Sequence, residues 1–277
     1  MSTSNQNPTF TELGVAQEIT DALAAQSIVD TFAIQALTLP IALEGRDLIG
    51  QARTGMGKTL GFGVPVLDRI FDDADIEELD GTPRALIVVP TRELCVQVGE
   101  DLERAAVNLP VRVTTIYGGT PYEEQEKALK DGADLVVGTP GRLIDLFNRG
   151  ELRLDTVRIL VLDEADEMLD LGFLPAIEKI IAGITAEHQT MLFSATMPDA
   201  ILGLARGFMN KPVHIRAEMS GEAETNATTK QVVLKSHRMD KVAVISRVLQ
   251  ARGRGRTIIF VRTKPVSYTH LRAHETP

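Results

Sequence analysis

The chain has 277 residues, 44% of them hydrophobic, and is long enough to bury a substantial core in one large or two modest domains. A net charge of −9 argues against general electrostatic attraction to nucleic acid, so any such contact has to be local. The single cysteine, Cys95, excludes an intramolecular disulfide, and no run of about 18 apolar residues exists to span a membrane. The amino terminus MSTSNQNPTF has no basic-plus-apolar targeting signal, which makes the cytoplasm the expected location.

In chain order, DLIG, ALIVVP, VTTIY, LVVGT, ILVLDE and MLFSAT are short and nearly continuous in apolar residues, as strands covered on both faces must be. Helical patterns separate most of them. TLGFGVPVLDRIF has helical spacing despite an early proline and its glycines, and Cys95 sits in a helical pattern as a small core residue. PYEEQEKALKDG begins near Pro121 and ends on Gly132, GRLIDLFNRG closes on Gly150, and a further helix begins near Pro198. The alternation predicts a doubly wound α/β domain with a parallel sheet over residues 1–216. No internal repeat or low-complexity stretch is present.

Residues 217–229 are polar and read as a linker. A second α/β unit is predicted over 230–266, with QVVLKS as a strand, DKVAVISRVLQAR as a helix and TIIFVRT as a second strand. Residues 267–277, SYTHLRAHETP, continue no periodicity and read as a non-native tail. His270 and His274 have i, i+4 spacing, but two ligands without a third do not define a metal site.

Two strings carry the chemistry. ARTGMGKT, from Ala52 through Arg53, Thr54, Gly55, Met56, Gly57 and Lys58 to Thr59, follows a short buried strand and opens a helix. The glycines let the backbone approach phosphate oxygens at a helix end that favours anions. Lys58 supplies a point charge for the outer phosphates, and the Thr59 hydroxyl is the expected ligand of a nucleotide-bound Mg2+. Ala52 stands where the general pattern has its first glycine. The second string, DEAD, ends the strand ILVL, so its carboxylates emerge at the carboxyl edge of the sheet, where ligands of open α/β sheets bind. Asp163 is placed to hold Mg2+ through its water shell, and Glu164 to orient or deprotonate an attacking water.

These residues resemble the DEAD-box ATP-dependent RNA helicases, whose phosphate loop reads A-x-T-G-x-G-K-T, so Ala52 fits the family. Further motifs follow in the family's order from about Phe10 to Val266. Pro90, Thr91 and Arg92 within PTREL, the pair Gly118 and Gly119, and Thr139, Pro140, Gly141 and Arg142 (TPGR) are similar to the RNA-contacting motifs. Ser194 and Thr196, in SAT, resemble the motif that couples hydrolysis to strand separation, with Asp166 linked to their hydroxyls. Gln35 with Phe10 resembles the adenine-reading Q motif, although TFAIQ keeps only the Ile-Gln ending of the usual PTPIQ.

The resemblance implies a RecA-like P-loop fold, ATP and Mg2+ as cofactors, sequence-nonspecific contact with an RNA backbone, and duplex unwinding. It also implies a second RecA-like domain with an arginine-rich motif, of which only the beginning is found. The chain is therefore expected to be a truncated form with weak or no unwinding. Two alternatives stay open at this point: a non-catalytic module that binds ATP or RNA, and a DNA-directed motor on the same core.

Overall fold

The computed structural model describes residues 7–53, 55–74, 76, 78–217, 232–237, 240–251 and 255–259. The chain divides into two units, Met1–Met219 and Ser220–Pro277. The first is built on a seven-stranded parallel sheet with strand order β3-β4-β2-β5-β6-β1-β7.

Its strands are β1 (Leu48–Gln51), β2 (Ala85–Val88), β3 (Val113–Ile116), β4 (Leu135–Gly138), β5 (Ile159–Leu162), β6 (Gln189–Ser194) and β7 (Val213–Arg216). The helices are α1 (Gln17–Ala24), α2 (Ala33–Leu43), α3 (Lys58–Asp72), α4 (Arg92–Ala105), α5 (Tyr122–Asp131), α6 (Pro140–Asn148), α7 (Ala165–Asp170), α8 (Leu174–Gly183) and α9 (Asp199–Phe208).

Successive strand residues point to opposite faces, and both faces are covered. Ile87 and Val161 pack with α1 to α4 in one core, whereas Leu86, Val88, Leu160 and Leu162 pack with α6 to α9 in the other. This is why the central strands read as unbroken apolar runs. The six predicted strands are found as β1 to β6, and the predicted helices correspond to α3, α4, α5, α6 and α9. Cys95 is buried in α4, where its thiol donates to the Val137 carbonyl at 3.2 Å. Burial pushes that thiol up to about 12, as expected of a core residue.

The edge strand β7 was not predicted. Val213–Arg216 is a short, largely exposed V-H-I-R alternation, and its position is fixed by long-range bonds. Asp47, just before β1, accepts the Thr190 N–H at 2.7 Å and the Asn210 N–H at 2.6 Å, while its own carbonyl accepts from Val213 at 2.9 Å.

In the second unit the described residues form one helix, α10 (Lys241–Leu249), within the predicted helical segment. Residues 232–237 and 255–259 carry no strand, although QVVLKS and TIIFVRT predicted strands there. Among the described residues neither segment has the neighbouring ladder that a strand requires. Most of the predicted linker and the whole tail lie outside the described residues.

Asp47→Ala strands a buried N–H on Thr190 and a partly buried one on Asn210. At about 1–3 kcal/mol for each lost partner, urea unfolding should show a loss of roughly 2–6 kcal/mol.

Candidate functional site

The β5-β6-β1 order brings together segments far apart in sequence. Gln51 at the end of β1 pairs with Ser194 at the end of β6, and Leu162 at the end of β5 pairs with Leu192. The phosphate-loop string, DEAD and SAT therefore leave the sheet side by side at its carboxyl edge. The Ala52 N–H donates to the Ser194 carbonyl at 3.2 Å, and the Gln51 amide donates to the Ala195 carbonyl at 3.3 Å.

The loop opens α3. Gly55 and Gly57 have φ of 83° and 79°, and Gly57 is the residue that caps the helix. A Cβ at Gly57 would lie 2.4 Å from the Phe32 ring and 2.6 Å from the Gln35 amide, so only glycine fits. Arg53 is exposed, Met56 packs against the core, Thr59 lies half-buried in the first turn, and Thr54 falls outside the described residues.

Lys58 is only 6% exposed, and its Nζ lies 3.7 Å from Asp163 Oδ1. That ammonium has no hydrogen-bond partner, although an ammonium carries three donors. An enclosed, unsatisfied cation at a helix amino end is what an anionic polyphosphate would satisfy, so these residues fit the phosphates of a nucleotide.

Burial pushes the Asp163 carboxyl up to about 6, with Lys58 opposing and Glu164 reinforcing the rise. Its Oδ1 accepts the Glu164 N–H at 2.9 Å. Glu164 has φ 51°, a left-handed conformation that is rare for a side-chain-bearing residue and that costs energy at the start of α7. Burial works to raise Asp166 too, but hydrogen bonds from Thr196 and Ser194 prevail and hold it below its ordinary value. Asp166 Oδ2 accepts from Thr196 N at 2.9 Å and Thr196 Oγ1 at 2.8 Å. The Ser194 hydroxyl donates to the Thr196 carbonyl at 2.7 Å and accepts the Asp166 N–H at 3.3 Å.

A cavity of about 250 Å³ joins Lys58, Glu164, Asp166, Ala195 and Thr196, together with Glu167 and Asp170, which sequence reading did not single out. A larger groove of about 1140 Å³ lies at the opposite end of the strands, beside Asp47 and Gln189, and touches none of the motif residues. Volume favours that groove, which is also lined by charged groups such as Asp47, Arg69 and Arg158, yet the smaller cavity is the one that joins the phosphate-loop lysine to the DEAD and SAT residues, and it is the candidate site.

Both members of the expected adenine-reading pair are buried. Phe10 is 2% exposed and belongs to the core. Gln35 is equally buried and bridges backbone groups, accepting the Phe32 N–H at 2.8 Å and donating to the Gly57 carbonyl at 2.8 Å. It thereby ties α2 to the phosphate loop.

The remaining motifs gather at the ends of β2, β4 and β3. Pro90 is buried, and the Thr91 hydroxyl caps α4 by accepting the Leu94 N–H at 3.3 Å. Arg92 is exposed, its guanidinium 5.0 Å from the Tyr117 ring centre. Gly118 and Gly119 form an exposed turn after β3, with Gly119 at φ 86°. Thr139 precedes α6, buried Pro140 is its first residue, and Gly141 is exposed. Arg142 departs from this surface. It is 7% exposed and lies 3.9 Å over the Tyr122 ring, so its expected place among the solvent-facing RNA contacts is not where its guanidinium sits.

Comparison with known proteins gives the class. The family model described as DEAD/DEAH box helicase matches residues 32–203. The chain is 43% identical over 256 residues to the DEAD-box ATP-dependent RNA helicase CshA of Geobacillus kaustophilus, covering 92% of this chain and 53% of that protein. It is 42% identical over 255 residues to the ATP-dependent RNA helicase CshA of Listeria monocytogenes, covering 92% of this chain and 48% of that protein. The crystal structure of a DEAD box protein from the hyperthermophile Methanococcus jannaschii superposes with a TM-score of 0.71 at 33% identity, over 97% of this chain and 70% of that one. The chain belongs to the DEAD/DEAH box helicase family, and its first unit is a RecA-like α/β domain. It spans about half the length of the curated relatives it matches.

The raised Asp163 value sets a pH dependence of stability. Between 3.8 and about 6 the folded chain holds a proton that the unfolded chain has released. Stability contributed by this group is therefore complete below 3.8 and falls as pH rises to about 6. Urea titrations across that window should show the fall in the parent chain and its absence in Asp163→Asn.

Proposed function

We propose that the chain binds ATP with Mg2+ at the loop 52–59 and hydrolyses it in response to single-stranded RNA, the chemistry that drives local duplex unwinding in an ATP-dependent RNA helicase. The buried Lys58 ammonium, ion-paired with Asp163 but without a hydrogen-bond partner, supports this reading above any other feature. The relatives' printed names, all RNA helicases, agree with it. Residues 1–216 serve as the ATP-binding domain and 230–266 as the opening of a second RecA-like domain. The described residues contain no helix long and apolar enough to cross a membrane, and we place the protein in the cytoplasm.

Each residue has a role that follows from its surroundings. Backbone N–H groups of the loop and of the first turn of α3 bind phosphate oxygens, and Lys58 neutralises their charge. Thr59 and Asp163 would hold the cation, which when bound would supply charge neutralisation at the phosphates. Glu164, fixed at the start of α7 by its unusual backbone, orients and deprotonates the attacking water. Asp166, Ser194 and Thr196 form a closed hydrogen-bonded link between the ends of β5 and β6, so displacement at one is felt at the other. On the adjoining surface Arg92, the Gly118–Gly119 turn and the amino ends of α4 and α6 meet RNA phosphates and sugars, which gives little base specificity.

Glu164→Gln should lower RNA-stimulated ATP turnover by about 10²-fold or more while nucleotide binding persists. Turnover equal to the parent's would remove Glu164 from the mechanism. Competition by an otherwise identical DNA oligomer at equal strength would overturn the assignment of RNA, since only RNA presents a 2′-hydroxyl.

A further inference from the structure

Arg142 occupies an odd position for a phosphate-binding arginine. Its Nη2 donates to the Thr120 carbonyl at 2.9 Å, its Nη1 is enclosed without a hydrogen-bond partner, and its guanidinium carbon lies over Tyr122, 3.9 Å from the ring centre. The guanidinium is turned into the fold, with Nη1 enclosed and Nη2 engaged by the Thr120 carbonyl, rather than presented at the surface beside Arg92. The cation is instead compensated from inside the fold by the face of an aromatic ring.

Tyr122 is held in turn. Its hydroxyl donates to Asp145 Oδ2 at 3.0 Å, and Arg149 lies 3.8 Å from the same ring centre while donating to Glu126 at 3.1 Å. The first residue of α5 is thus fastened to α6 through charged groups that both helices supply.

The atom that Arg142 grips belongs to the turn carrying Gly118 and Gly119. A second buried side chain grips the same turn: the Gln125 amide donates to the Tyr117 carbonyl at 3.0 Å and to the Thr120 hydroxyl at 2.5 Å. The turn is therefore clamped at both ends while its glycines remain open, and a Cβ at Gly118 would meet nothing within 4 Å. Tyr117, at one clamped end, also provides the ring beside which Arg92 lies, and a Cβ at Gly119 would be 3.5 Å from Arg92 Nη1.

We propose that Arg142 is a positioning residue rather than a phosphate ligand: stacked on Tyr122 and acting with Gln125, it fixes the Gly118–Gly119 turn, and through Tyr117 the exposed Arg92, in the geometry that meets the RNA backbone. This rests on the RNA reading given above. The turn's N–H groups and Arg92 touch RNA, whereas Arg142 acts only through them.

The test is the salt dependence of single-stranded RNA affinity, measured by fluorescence anisotropy on the full chain and on Arg142→Gln, Tyr122→Leu and Arg92→Gln. For single strands, each phosphate contact removed makes the log–log slope shallower by about 0.7. Arg92→Gln should show that change. Arg142→Gln and Tyr122→Leu should weaken binding roughly tenfold at every salt concentration with the parent's slope, within the range for residues that act on a site without touching its ligand, and ATP affinity should be retained as the sign of an intact fold.

A slope for Arg142→Gln shallower by the same amount as for Arg92→Gln would make Arg142 a direct ligand and overturn the proposal, as would unchanged affinity. If Arg142→Gln does not fold, Tyr122→Leu decides, because it leaves the arginine's charge in place. It should weaken binding with the slope unchanged, and parent-like affinity would overturn the proposal. Absence of RNA binding by the unaltered chain would sink the RNA reading itself, an outcome separate from any slope.

Discussion

The buried pairing of Lys58 with Asp163 is the constraint around which the rest of the site is arranged. Taking an ammonium and a carboxylate out of water costs several kcal/mol per ion, and attraction at 3.7 Å offsets this fully only with hydrogen bonds that the ammonium lacks here. The fold keeps the pair nonetheless, because neighbouring strands β1, β6 and β5 carry the lysine's loop, the SAT turn and the aspartate to one edge. The consequence is a cation with unmet donors, enclosed at the amino end of a helix. Such a group gains more from an incoming polyphosphate than an exposed lysine would, since burial has already withdrawn it from bulk water and strengthens its field.

The strain at Glu164 belongs to the same arrangement. A left-handed residue between β5 and α7 re-aims the chain within one residue, so that Asp163 turns inward to Lys58 while Asp166 reaches Thr196 and Ser194. Four consecutive residues thereby serve a buried ion pair, a cavity wall and a hydrogen-bonded link. Such conformations persist only where the surroundings over-determine them, and both flanking carboxylates are held.

Much of this was legible in the amino-acid sequence, for physical reasons. Strands buried on both faces need continuous apolar runs, and six such runs marked β1 to β6. Glycines in a strand-to-helix turn followed by Lys58 and Thr59 identify a phosphate loop, since few other functions need that spacing. Legibility failed where tertiary contacts decide. The strand β7 is an exposed edge held by Asp47 and pairing with β1, neither of which marks its own four residues. Phe10 reads as an aromatic available to a ligand, but the packing of α1 to α3 encloses it. Arg142 reads as a phosphate contact within TPGR. Its guanidinium lies over Tyr122 of the preceding helix α5, a contact that no local pattern announces, and Gln125 of that helix was missed for the same reason.

The most direct measurement is calorimetric titration of ATP with Mg2+ into the unaltered chain and into Lys58→Ala. If the enclosed ammonium is the phosphate-binding cation, heat of binding is present for the first and absent, or shifted to at least tenfold weaker affinity, for the second. Equal affinity in the two would show that the phosphates bind elsewhere, and the assignment of the site would fall with it.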